Sequence, residues 1–165
     1  MTDNDNVQAE DKVPQPNPAL KALEVLIGTW DLMGRTLESE KDNITGWNTF
    51  EWLPGGFFLK STGEINFNGT LIQSLEIIGY DPTNRTFPSN VYSNMDGKVL
   101  PYSWYIQGNT VTHSDKTSMY TGTFSADGKT LSGGWRPKEG EQESPENSYD
   151  AIMTRVTRKK KKLKT

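Results

Sequence analysis

The feature that most restricts what this chain can fold into is the spacing of its turn signals. From Thr29 to Arg158, short runs rich in Thr, Ile, Val, Tyr, Phe and Trp alternate with clusters of Asp, Asn, Gly and Pro. Strands are expected at Thr29–Leu37, Ile44–Leu53, Phe57–Phe67, Thr70–Tyr80, Thr86–Asn94, Leu100–Gln107, Thr110–Ser114, Ser118–Phe124, Thr130–Arg136 and Ser148–Arg158. Between them lie Asp42-Asn43, Pro54-Gly55-Gly56, Asn68-Gly69, Asp81-Pro82-Thr83-Asn84, Asp96-Gly97, Gly108-Asn109, Asp115-Lys116 and Asp127-Gly128. In such clusters Gly and Asn tolerate positive φ and Pro fixes it. Only Pro137–Asn147 is a long loop.

Links this short cannot hold a helical crossover, so each strand must pair with its sequence neighbour as an antiparallel meander. A ten-strand meander leaves two exposed edges unless it closes. The expected fold is therefore all-β: a single antiparallel up-and-down β-barrel of about ten strands with a short N-terminal helix. Asn17 can cap that helix, Pro18 suits its first position, Leu20, Leu23, Val25, Leu26 and Ile27 follow, and Gly28 ends it.

Alternation gives the inward sets Trp30 with Leu32, Leu59 with Ile65, Tyr102 with Trp104 and Ile106, Tyr120 with Phe124, and Leu131 with Trp135. A barrel of this size holds either packed side chains or one small ligand. The sequence leaves that choice open.

The chain of 165 residues divides into an acidic tail (1–16), expected to be disordered, a barrel domain (17–158) and a basic tail (159–165). No acidic residue follows Asp150, whereas Arg155, Arg158, Lys159, Lys160, Lys161, Lys162 and Lys164 all do. Such a tail suits non-specific electrostatic contact, with no specific nucleic-acid partner expected; a solvated end is the plainer reading. The N-terminus lacks the pattern of a secretory signal, and no stretch approaches the length of a membrane span, so a cytoplasmic location is expected. The oligomeric state is not legible.

Chemistry is narrowed by what is scarce. There is no cysteine and one histidine, His113, so disulfides, thiolate nucleophiles and cysteine- or histidine-rich metal sites are not expected. No Gly-x-Ser-x-Gly elbow presents a serine, and Ser132-Gly133-Gly134 and Pro54-Gly55-Gly56 are not phosphate loops.

Aromatic residues are plentiful. Tyr92, Tyr102, Trp104, Tyr120 and Trp135 cluster in the middle and late strands, as walls of a pocket would or as a filled core. Glu51, Glu64 and Glu76 stand in strand interiors, where a carboxylate usually faces solvent; one turned inward would have its pKa raised by desolvation. The expected ligand-binding set is Glu76, Tyr92, Tyr102, Trp104, His113, Tyr120 and Trp135, with no catalytic residue, metal or cofactor.

The helix leading into Leu26-Ile27-Gly28-Thr29-Trp30 resembles the Gly-x-Trp opening of the calycin superfamily of lipocalins and fatty-acid-binding proteins. More specifically, Trp52-Leu53-Pro54-Gly55-Gly56-Phe57-Phe58-Leu59 followed by Ile78-Gly79-Tyr80-Asp81-Pro82 resembles DUF1579, a bacterial family of lipocalin-like proteins, over residues 18–158. The resemblance implies that Trp30 packs at the barrel end against an Arg near the last strand, here Arg155 or Arg158, as a structural closure. The chain also resembles nitrobindins, whose proximal haem His lies late in the chain. His113 lies in the seventh strand instead, so no haem is expected.

The expected function is binding of a small apolar or aromatic molecule inside the barrel. One alternative is a cofactor-independent isomerase, cyclase or hydratase using an inward Glu or His113. Another is an interaction protein with a filled barrel.

Overall fold

The computed structural model describes residues 12–157. Most of the acidic N-terminal tail, Arg158 and the basic tail 159–165 lie outside the described residues. After a 3₁₀ helix at Pro18–Leu26, ten strands follow: β1 (Gly28–Thr36), β2 (Ile44–Trp52), β3 (Leu59–Phe67), β4 (Thr70–Ile78), β5 (Phe87–Ser93), β6 (Leu100–Gln107), β7 (Thr110–Ser114), β8 (Ser118–Phe124), β9 (Thr130–Pro137) and β10 (Tyr149–Val156). Each strand pairs antiparallel with its sequence neighbour, and β1 pairs with β10, closing the barrel. The seam runs from Thr29 opposite Val156 to Thr36 opposite Tyr149. No helix among the described residues is long and apolar enough to cross a membrane.

Several expected strand boundaries shift by one or two residues, with a clear physical reason at the start of β3. Phe57 and Phe58 belong to the β2–β3 connection and not to β3, because Gly55 and Gly56 both adopt positive φ there and delay strand pairing until Leu59. The long loop before β10 carries a single 3₁₀ turn, Pro145–Asn147, in which the Asn147 side chain accepts from the Ser144 N–H at 2.9 Å.

The N-terminal helix is short and tightly wound. Asn17 Oδ1 accepts from the Ala19 N–H at 2.9 Å, and Pro18 occupies the start, where its missing N–H costs nothing. Leu20, Leu23 and Leu26 are buried against Trp30, Phe50, Leu59, Ile78, Phe87 and Phe124, so the helix plugs one end of the barrel. Trp30 is fully buried and its indole N–H donates to the Leu26 carbonyl at 2.8 Å, tying plug to first strand.

Arg155 completes this end. Its guanidinium carbon lies 4.2 Å from the Trp30 ring centroid, and its N–H groups donate to the carbonyls of Ile27, Val25 and Gly128. Gly28, with φ of 122°, is required beside it: a Cβ there would stand 2.8 Å from Arg155 Nη1. The Gly-Thr-Trp motif thus joins a backbone bend, room for a guanidinium and the ring it covers.

Candidate functional site

Alternation along β4 places Ile72, Ser74, Glu76 and Ile78 on the inner face, with Leu71 and Leu75 outside. Of the three strand glutamates, Glu76 alone points into the barrel. Glu51 pairs with Lys60 at 2.8 Å on the outer face. Glu64 also belongs to the outer face, where it is buried and accepts from Gln73 at 3.2 Å.

Glu76 is acceptor to three inward donors from three strands. Ser89 Oγ on β5 donates at 2.6 Å, Trp104 Nε1 on β6 at 2.8 Å, and His113 Nε2 on β7 lies 2.9 Å away, all at the same carboxylate oxygen. Because a carboxylate accepts, Nε2 carries the proton in this contact. Burial alone pushes the Glu76 carboxyl up. The charge and hydrogen bond of His113 and the bonds from Ser89 and Trp104 outweigh it, so the pKa lies below its ordinary value. This reverses the rise expected for a desolvated carboxylate, since the sequence alone does not reveal three donors converging from other strands.

The His113 ring is enclosed by aromatics. Trp104 stacks on it with centroids 3.9 Å apart and planes 16° off parallel, Tyr102 lies 4.8 Å away, and Trp135 approaches edge-on at 5.5 Å. Tyr120 packs beside Trp135 at 5.9 Å and extends over Gly122, where a Cβ would fall 2.7 Å from its hydroxyl. Trp104 and Tyr120 are therefore core filling, and the Tyr120 hydroxyl has no protein partner among the described residues.

Toward the end opposite the plug, the interior opens into a cavity of about 310 Å³. Tyr102, Trp135 and Tyr149 supply its aromatic wall, and Asp115, Thr117, Ser118, Ser144, Glu146 and Asn147 its polar one. Tyr149 sits 6.4 Å from Trp135 and edge-on to Phe67 at 5.2 Å.

The β7–β8 turn is organised by Asp115. One of its carboxylate oxygens accepts from the Thr117 and Ser118 N–H groups at 2.8 and 2.7 Å and from both hydroxyls. Burial raises the Asp115 carboxyl, but these bonds prevail and hold it below the usual carboxylate range. Asp115 also lies close to the Tyr102 hydroxyl. Burial pushes the phenols of Tyr102, Tyr120 and Tyr149 well up, so all three stay neutral donors near neutral pH.

Of the seven residues expected to contact ligand, Tyr102 and Trp135 line this cavity. Glu76, Trp104 and His113 form the buried cluster behind them, with Tyr120 alongside. Tyr92 is elsewhere: it lies exposed on the outer wall opposite Leu75, because β5 turns Phe87, Ser89 and Val91 inward. Asp115, Ser118, Ser144, Glu146, Asn147 and Tyr149 escaped the sequence reading. Tyr149 was open to it, since alternation back from Arg155 through Met153 and Ala151 lands on it.

A family match covers residues 15–130 and is described as protein of unknown function (DUF1579). The chain belongs to the DUF1579 family. Within DUF1579 the match takes in the plug, Gly-Thr-Trp and the Glu76–His113 cluster, and it ends where β9 begins. Among curated proteins, none matches this DUF1579 chain. Among solved structures it is similar to the crystal structure of Rv2717c from M. tuberculosis, with a TM-score of 0.57 and 14% identity. That alignment covers 86% of this chain and 99% of the other. At such identity the likeness is one of fold.

Proposed function

We propose that this DUF1579 protein binds a small molecule in the mouth of its barrel. The observation that carries the reading is the difference between the two ends. At one end the 3₁₀ helix, Trp30 and Arg155 fill the interior and leave a groove of about 300 Å³ lined by the helix, Trp52 and Gly56, while the other holds a cavity of about 310 Å³ walled by three aromatic side chains and several hydrogen-bonding groups. A concave site with ring faces for contact area and a few placed polar groups for orientation is what small-molecule recognition uses. The polar half of the lining favours a ligand with hydrogen-bonding groups over a purely apolar chain. It refines the expected apolar or aromatic ligand toward an aromatic-compatible but polar one.

The Glu76–His113 contact favours a second reading, acid–base chemistry by His113 with Glu76 orienting its ring. The stacked Trp104 and neighbouring Tyr102 weigh against it, since they occupy the space around the imidazole that a substrate would need.

Native mass spectrometry of protein purified from its own host, with and without Trp135→Leu, tests the leading reading. A stoichiometric adduct on the wild-type protein that the variant loses supports it. An adduct that survives the substitution, or bare protein whose Trp fluorescence ignores a panel of aromatic amines, acids and alcohols, overturns it.

A further inference from the structure

The charge around the mouth has a definite sign. Asp115 and Glu146 line the cavity, and no basic side chain does. The loop from β9 to β10 adds Glu139, Glu141 and Glu143, against the ammonium groups of Lys116 and Lys138. Lys138 donates to the Asp115 backbone carbonyl, and the nearby Arg136 is held by Asp150 at 2.7 Å. Among the described residues, neither Asp115 nor Glu146 is in an ion pair.

Lining the same cavity as these carboxylates are the rings of Tyr102, Trp135 and Tyr149. An aromatic face presents negative charge to whatever lies over it, so rings and carboxylates favour the same kind of group. The Asp115 carboxyl is kept ionised by its turn, and the neutral phenols of Tyr102 and Tyr149 do not add repulsion for an anion or compensate a cation. An anionic ligand would meet like charge with no lining cation to offset it.

We infer that the mouth cavity recognises a small organic cation: an alkylated or aromatic ammonium whose charged head lies against the rings and whose field is met by Asp115 and Glu146. The inference rests on the reading of the mouth as a small-molecule site and names its ligand class. Cation–ring contact and two carboxylates together discriminate against an uncharged molecule of the same shape.

Three probes of matched size separate the cases when titrated into the full-length protein, followed by Trp fluorescence and ligand-observed NMR. They are benzyltrimethylammonium, its uncharged carbon isostere neopentylbenzene, and the anion phenylacetate. Benzyltrimethylammonium is expected to saturate at a concentration about tenfold below the other two, and to weaken as salt screens the rim. Glu146→Gln should weaken it several-fold and leave neopentylbenzene unchanged. Glu146 is exposed and outside every strand, so this variant folds even if Asp115→Asn disturbs its turn. Equal or tighter binding of neopentylbenzene or phenylacetate overturns the cation assignment while the mouth remains a ligand site. Saturable binding of none of the three overturns the cation assignment, and the panel and adduct measurements above then decide the broader reading separately.

Discussion

The Arg155 guanidinium covers the Trp30 indole at 4.2 Å while bonding to backbone carbonyls at Val25, Ile27 and Gly128. One side chain thereby joins the last strand, the first strand, the helical plug and the β8–β9 turn. The planar fork matters as much as the charge, because a lysine presents one compact donor group and no flat face to stack. Arg155→Lys should therefore lose about 1–3 kcal/mol of stability despite keeping the charge, and Arg155→Ala at least as much. Urea denaturation followed by Trp fluorescence checks both; a lysine variant as stable as wild type would show that charge alone suffices.

Gly28 is constrained twice, by φ of 122° and by the nearness of Arg155. Gly28→Ala should cost about 1–3 kcal/mol through backbone strain alone, with the Arg155 clash added to it. In an Arg155→Ala background the clash disappears and the strain stays. A double-mutant cycle should accordingly give a smaller penalty for Gly28→Ala when Arg155 is absent.

The Glu76 cluster makes stability depend on acid. Its folded pKa lies below the ordinary 4.5, so the folded state binds the proton less well than the unfolded chain. That stabilisation is present in full above the unfolded value and is lost as pH falls through the folded one. Glu76→Gln keeps an acceptor for Ser89 and Trp104 and should flatten the acid side of the stability curve. Glu76→Ala leaves the Ser89 hydroxyl and the Trp104 indole N–H without that acceptor and should cost about 3–5 kcal/mol. Thermal melts from neutral pH down to pH about 3 distinguish the two, and parallel acid limbs for wild type and Glu76→Gln would refute the assignment.

Tyr92 tests the inward phase of β5. On the outer wall beside Leu75, its replacement by Ser should change stability by less than about 1 kcal/mol and leave mouth binding untouched. Trp135→Leu should abolish that binding. Titration of both variants with the same aromatic probe compares them.

The barrel was legible because its connections are short: Asn68-Gly69, Gly108-Asn109 and Asp127-Gly128 leave no alternative to neighbour pairing. The inward phase was readable where large apolar residues recur every second position, as at Tyr102, Trp104 and Ile106. It gave no inward set on β5, where the inward residues are Phe87, Ser89 and Val91 and the prominent Tyr92 faces out. Ser89 is small because it donates to Glu76, a requirement set by a residue on another strand. The mouth was harder to read for a similar reason. Asp115, Ser144, Glu146 and Asn147 have the composition of ordinary turns, and only closure of the barrel brings them around Tyr102 and Trp135.

The closed meander also carries a kinetic consequence. Nine of its strand pairings are between sequence neighbours, all but β9–β10 over short connections, whereas the β1–β10 seam joins Thr29 to Val156, near the two ends of the barrel sequence. Loop-closure entropy opposes that contact more than any hairpin, so the seam should form after the rate-limiting step of folding. Substitutions at Arg155 would then act mainly by speeding unfolding, making the stacked Trp30 and its guanidinium cover a latch that governs how long the barrel stays shut and hardly affects how fast it forms.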